Sequence, residues 1–394
     1  MRRLIAAAFV ALGCASPGMP PGGPPDVAAP QVVAIVPDSG RTGIKPKDVV
    51  FRFDEVVSER PASVTTLADL FLISPREGAP VVSWHREEIA VRPRHGWRAN
   101  TAYTVIMLRG LADIRGNVRN TGASTFFSTG ASIPRTRITG NVFDWVSGSP
   151  AAGALVESFV RPDTVHTYIA LVDSSGVFSL ERLPAARYTL RAFMDRNKNQ
   201  GFDPGEPFDT ASVSLTDSLS TELVVFVHDS VPPRIKEVSL TDSLSLRVTF
   251  DKPVDPAQTL TSANFSVVGP DSIPVRIVSA GARALDTTPK PAPAPPLPAP
   301  ITRGAAPQGR RNPAAADTSS RSKSVMSKAI PISEVTITLA TPLRAKTAYR
   351  VRALGIKGLI GATGDSERQF TPPAPPAPTP AKPGASSTSP PPVQ

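Results

Sequence analysis

Residues 97–105 read WRANTAYTV and residues 343–351 read LRAKTAYRV. The two stretches share Arg-Ala, Thr-Ala and Tyr at the same offsets, and each lies near the end of a longer block with a common order of features. Ahead of the first, residues 50–57 read VFRFDEVV; ahead of the second, residues 246–254 read LRVTFDKPV. The blocks open on Pro30-Gln31-Val32-Val33 and Pro233-Arg234-Ile235. They close on glycine loops (Gly116-Asn117, Gly361-Ala362) and Phe-bearing strands, FFST at 126–129 and QFT at 369–371. Such an order, repeated at a distance, marks a duplicated structural unit. Inside the blocks, short apolar or β-branched runs such as 49–53, 81–84 and 103–107 are separated by turn residues about every ten positions. That is the pattern of an all-β sandwich. The expected fold class is therefore all-β, with tandem Greek-key β-sandwiches at 31–130 and 232–371.

A tyrosine just after Ala-x-Thr-x, at the start of a strand, resembles a tyrosine corner, in which the phenol bonds back to the chain at a sandwich end. Tyr103 and Tyr349 are the two candidates. Together with the FDE and FDK strands and the closing Gly loop plus Phe strand, they make both blocks resemble bacterial Ig-like domains of the SbsA type. The segment between them, 136–229, has a different order. ITGNVF at 138–143 is followed by ALV at 154–156, DSSGVFSL at 173–180 and LPAARYTL at 183–190. It resembles the carboxypeptidase-regulatory-like (transthyretin-like) sandwich, an accessory module without peptidase residues. The Asp-Ser-Ser-Gly turn before Phe178 has hairpin chemistry.

Composition limits the chemistry. Of 394 residues 45 are proline, about twice ordinary usage, while one cysteine and four histidines poorly supply a zinc cluster, a disulfide framework or a Cys/His nucleophile pair. Met1-Arg2-Arg3 and the apolar run at 4–12 have the layout of a secretory signal peptide and are too short to span a bilayer. Ala11-Leu12-Gly13-Cys14 resembles the lipobox of bacterial lipoproteins. The resemblance implies cleavage after residue 13 and acylation of Cys14, so that the membrane is a partner through a lipid anchor. Residues 14–30 read as a Pro/Gly-rich tether and 372–394 as a Pro-rich disordered tail. Residues 283–328, with eight Lys/Arg against Asp286 and Asp317, read as a disordered basic insertion in the second Ig-like block. The net charge of +10 thus belongs mostly to coil. The insertion is expected to be solvated, with no specific nucleic acid as partner.

The best candidate for ligand chemistry is residues 195–206, DRNKNQGFDPGE. Asp195, Asn197, Asn199, Asp203 and Glu206 occupy positions 1, 3, 5, 9 and 12 of a twelve-residue calcium loop, with Gln200 where glycine is usual. Without flanking helices it resembles the calcium loops in B-type repeats of bacterial surface adhesins, which makes calcium the candidate cofactor. A plain polar hairpin is the competing reading. Asp54-Glu55 is read as a strand end, and His85 and His95 as surface or packing residues. The sequence holds no GxSxG elbow, P-loop or GxGxxG. The hexapeptide LTDSLS occurs at 215–220 and 240–245, each time as an expected strand-turn-strand. The expectation is a non-catalytic, exported, lipid-anchored envelope protein of the outer membrane or cell surface, structural or adhesive, with a surface protein or glycan as partner. The alternative is a carbohydrate-binding accessory module, for which Trp84, Trp97 and Trp145 are the available platforms.

Overall fold

The computed structural model describes residues 25–282 and 325–374. The signal segment, Cys14, the insertion through residue 324 and the tail from 375 lie outside the described residues. The chain divides into two compact units, residues 1–133 and 134–394.

In the first unit, β1 (Val32–Val36), β2 (Val49–Phe53), β5 (Glu88–Arg92) and β4 (Val81–His85) form one antiparallel sheet in the order β1-β2-β5-β4. The second sheet is β3 (Phe71–Ser74), β6 (Ala102–Met107) and β7 (Ala123–Ser128), in the order β3-β6-β7. Alternation along each strand sends one set of side chains inward. Val49, Phe51 and Phe53 from one sheet meet Phe71, Tyr103, Val105 and Phe127 from the other in a single core. Trp97 closes it, edge-on to both Tyr103 and Phe127 at 4.9 and 5.0 Å.

The second unit holds two sandwiches. In the one spanning residues 137–225, β8 (Arg137–Asp144) lies between β11 (Val177–Glu181) and β14 (Ser218–Val225). The facing sheet runs β10 (Asp163–Leu171), β9 (Leu155–Val160), β12 (Ala186–Phe193), β13 (Phe208–Leu215). The β8–β14 pair is parallel. It crosses so closely that a Cβ at Gly140 would lie 1.9 Å from the Thr221 carbonyl oxygen, so the glycine of ITGNVF is sterically required. The Asp173–Gly176 turn forms as its residues dictate: Asp173 Oδ1 accepts from the N–H of Ser175 and Val177, and Gly176 has φ of 86°. It is not a hairpin, however. β11 pairs with β8 and not with β10, so the turn carries the chain from one sheet to the other.

The last sandwich repeats the first. β15 (Ile235–Leu240), β16 (Ser245–Val254), β20 (Ile332–Leu339) and β19 (Ile277–Ala282) pair in the order β15-β16-β20-β19. β18 (Pro274–Val275), β17 (Phe265–Val268), β21 (Tyr349–Lys357) and β22 (Thr363–Phe370) form the other sheet. The likeness extends to detail. In both copies the first strand pair slips register early, between Val32 and Ala34 and between Ile235 and Glu237. In both, a short 3-10 turn with a reciprocal cap (Thr66 with Asp69, Thr261 with Asn264) precedes the Phe that starts the next strand. Residues 283–324 fall between β19 and β20, where the first copy joins β4 to β5 through Arg86-Glu87. A hairpin tip is where extra chain costs little, because closure entropy grows only with the logarithm of loop length.

One expectation needs correcting. Residues 325–328, which composition places in the insertion, are held against the preceding sandwich. Ser327 donates from its backbone N–H and its hydroxyl to the Glu222 carboxylate, at 3.1 and 2.7 Å. Met326 packs on a cluster of Phe143, Trp145, Val224 and Phe226. Composition cannot register partners supplied by another domain.

Candidate functional site

The duplicated motifs turn out to be fastenings. Tyr103 Oη accepts a hydrogen bond from the Arg98 N–H at 2.8 Å, and Tyr349 Oη accepts from the Arg344 N–H at 2.9 Å. Each arch passes through a left-handed residue at the same place, Asn100 (φ 51°) and Lys346 (φ 56°). Burial holds the Tyr103 phenol above its ordinary pKa. The middle sandwich has an arch of its own, missed in the sequence: Tyr188 Oη donates to the Pro184 carbonyl at 2.8 Å, and burial pushes this phenol up as well. The aspartates of FDE and FDK are equivalent too. Asp54 Oδ1 accepts from the Gln31 N–H and Asp251 Oδ1 from the Arg234 N–H, both at 2.7 Å. Each ties the first strand of its domain to the second.

Glu55 turns to different neighbours. With Asp26 and Asp113 it brings three carboxylates within 4.8 Å of one another, a grouping that sequence distance conceals. Burial, then the charges of Asp113, Asp26 and Asp54, hold Glu55 above the ordinary carboxyl range. Asp113 is held below its own: burial pushes it up, but donors on Asn117, Arg115 and Gly116 outweigh that. Its oxygens are already taken by the N–H groups of Arg115 and Asn117 and by the Asn117 amide. Asp113 therefore fastens the glycine loop, and its oxygens are engaged there.

The loop at 195–206 joins β12 to β13. Asp195 accepts from the N–H of Asn199 at 3.1 Å and of Gln200 at 2.8 Å, and Glu206 Oε1 reaches back to the Arg196 N–H at 2.8 Å. The Asn197 and Asn199 amides both donate to Asp203 Oδ2, at 2.7 and 2.9 Å. Gln200, standing where glycine is usual, itself takes the left-handed conformation (φ 59°) that position six of such a loop requires. The five oxygen-bearing side chains thus share one closed loop. As arranged, the two asparagines offer N–H groups to Asp203, so a cation would have to turn both amides to present their oxygens. From this loop Phe202 folds back onto Phe193, Phe208 and the Arg191 guanidinium.

The tryptophans give no exposed platform. Trp97 is core, Trp84 is half-buried with its indole N–H on the Val57 carbonyl, and Trp145 is 4% exposed. Trp145 instead builds the junction inside the second unit. Its ring meets Phe226 edge-on at 4.9 Å, its N–H donates to the Ala329 carbonyl at 2.8 Å, and Lys328 Nζ lies 3.4 Å from the ring centre. Lys252 bonds Asp229 at 2.6 Å across the same seam. Beside them Phe226, Val231, Pro253 and Leu359 line a crease of about 300 Å³. Among the described residues no helix is long and apolar enough to cross a membrane.

None of the curated proteins matches this chain. Among solved structures, the chain is similar to the N-terminal part of the bacterial S-layer protein SbsC, at 20% identity over 36% of this chain and 24% of that one, with a TM-score of 0.21. A DUF3823 family protein from Parabacteroides merdae ATCC 43184 matches at 14% identity over 35% and 66%, with a TM-score of 0.18. BcpA, the major pilin subunit of Bacillus cereus, matches at 8% over 47% and 66%, with a TM-score of 0.17. The chain thus spans about a quarter of the first of these and just under two thirds of the second. By sequence, residues 26–129 match the family model of the bacterial Ig-like domain, which places a family likeness on the first of the sandwiches in this all-β chain.

Proposed function

We propose that this chain is a non-catalytic, lipid-anchored protein of the cell envelope that acts as a structural or adhesive scaffold. In this reading residues 1–13 are removed, Cys14 carries the acyl chains, and 14–30 hold the first sandwich off the membrane. Residues 136–229 are a regulatory-like accessory module between two Ig-like domains. The observation that carries the reading is where the polar side chains go. Tyr103, Tyr188, Tyr349, Asp54, Asp113 and Asp251 all end in bonds that tie strands and arches together, and none is paired as a nucleophile with a base. Fractionation tests it: Cys14→Ser should move the protein from the membrane to the soluble fraction. A Cys14→Ser chain that stays with the membranes removes the anchor from the proposal.

Calcium at Asp195, Asn197, Asn199, Asp203 and Glu206 belongs to the same reading, as a stiffener. The left-handed Gln200 and the closure of Glu206 onto Arg196 support it. Calorimetric titration of the full chain with calcium should show saturable binding and a raised Tm, both lost in Asp195→Ala. A flat titration would leave the loop a polar turn.

A further inference from the structure

The outer face of β12 and β13 carries a pattern that no duplicated motif accounts for. Tyr188, Leu190 and Ala192 point into the core, so Arg187, Thr189 and Arg191 point out. Across the ladder they stand beside Ser214, Ser212 and Thr210. The face is thus a double row in which each β12 residue, cationic or hydroxylic, has a hydroxyl beside it. Where β9 joins it, a depression of about 320 Å³ is lined by Phe159, Arg161, Thr189, Arg191, Thr210 and Ser212. The Arg191 guanidinium is held in place before any ligand arrives. It bonds Glu157 Oε2 at 2.6 Å, and lies 4.2 Å from the Phe202 ring centre and 5.6 Å from that of Phe159. Its Nε has no hydrogen-bond partner among the described residues. Glu157 is the acid that meets this row, and Arg191 already neutralises it.

We propose that this face binds an acidic polysaccharide, one bearing carboxylates among hydroxyls. Guanidinium groups match carboxylates with paired, charge-assisted bonds. Serine and threonine hydroxyls both donate and accept, which suits the hydroxyls of a sugar. The positive groups continue beyond the depression: Arg187 lies four residues from Arg191 along β12, about 13 Å at strand rise. A single small anion would use one end of that row, whereas a polymer uses its length. From Thr189 to Phe193 the backbone of β12 is paired on both sides, with β9 and β13, so the amide cradle typical of phosphate sites is not what this row offers. Recognition here rests on charge and hydroxyls, so it does not need the buried tryptophans. It goes beyond the scaffold reading and needs neither the anchor nor calcium.

The test is calorimetric titration of the full chain with polygalacturonate, with neutral dextran beside it. Saturable binding that weakens with added salt is expected, and none to dextran. Arg161→Ala/Arg187→Ala and, separately, Thr189→Ala/Ser212→Ala should each weaken binding about tenfold, the loss of one or two contacts, without lowering the Tm. Both pairs leave Arg191 in place on Glu157, so that buried carboxylate keeps its guanidinium. Three results would overturn the proposal: no binding, binding unchanged from the parent chain in both double variants (which would assign it to the basic segment at 283–324), or displacement of the polymer by inorganic phosphate at matched charge.

Discussion

Replacing Trp145 separates what it does inside its own sandwich from what it does across the junction. Burying an indole removes roughly 150–250 Å² from water, or about 4–6 kcal/mol as an upper bound at about 25 cal/mol per Å². Mutational losses for Trp→Ala in cores run about 3–5 kcal/mol. With Trp145 only 4% exposed and its ring edge-on to Phe226, we expect Trp145→Ala to cost about 4 kcal/mol. Trp145→Phe keeps a ring beside Phe226 and Met326 but loses the N–H donated to Ala329, at a cost of about 1 kcal/mol. Lys328→Ala removes a cation over the ring, about 0.5–1 kcal/mol, since Lys328 is exposed. The Trp145→Phe/Lys328→Ala cycle should then show a coupling of about 0.5 kcal/mol or more, because both changes act on one contact. Differential scanning calorimetry of the full chain reads all of this, and in Trp145→Ala the joint transition of the second unit should split in two. A Trp145→Ala chain that melts as the parent does, as one transition, would refute the assignment of the junction to this residue.

Three further outcomes follow from the same bonds. Tyr103→Phe and Tyr349→Phe should each destabilise by about 1 kcal/mol, one hydrogen bond apiece, and in separate transitions of a denaturant melt because the residues lie in different units. Equal effects on a single transition would count against them as local fastenings. Gly140→Ala should prevent folding of the middle sandwich, since its Cβ would overlap the Thr221 carbonyl across the parallel pair; soluble, native-like expression would contradict that geometry. Glu55 binds its proton more tightly folded than unfolded, so its contribution is fully favourable below the ordinary carboxyl pKa and fades as pH rises through the raised value. Glu55→Gln should flatten that decline, followed by fluorescence of Trp84 and Trp97 in a Trp145→Phe background; an unchanged pH profile would remove the effect from Glu55.

Much of the fold is legible in the sequence because it is written locally. Strand alternation, the paired WRANTAY and LRAKTAY segments and the FDE and FDK strands each specify a bond whose partners lie within one domain copy, so a repeated motif predicts a repeated contact. The 3-10 turns have a local signature of the same kind, Thr-x-x-Asp at 66–69 and Thr-x-x-Asn at 261–264, each a reciprocal cap. The acidic trio has none, because Asp26, Glu55 and Asp113 come from three separate segments. The outward row on β12 and β13 was hidden for a related reason. Arginine and serine alternating with apolar residues reads as any solvated strand face until the pairing register sets the two rows side by side.

By itself the sequence determined the fold class, the duplication and the two duplicated tyrosine arches at Tyr103 and Tyr349, since these depend on residue periodicity and short-range bonds. The hexapeptide LTDSLS shows where that power ends. At 240–245 it turns between β15 and β16, which pair with each other; at 215–220 the same six residues carry the chain from β13 to β14, in opposite sheets. Local chemistry made both a turn. Whether the next strand pairs with its predecessor or crosses to lie parallel to β8 is a matter of tertiary packing: Leu246 after one copy and Leu223 after the other are buried in the cores of different sandwiches. The same holds for Trp145 and residues 325–330: buried apolar area and unmet hydrogen bonds on one domain found their complement on another, and only tertiary packing brings those surfaces together.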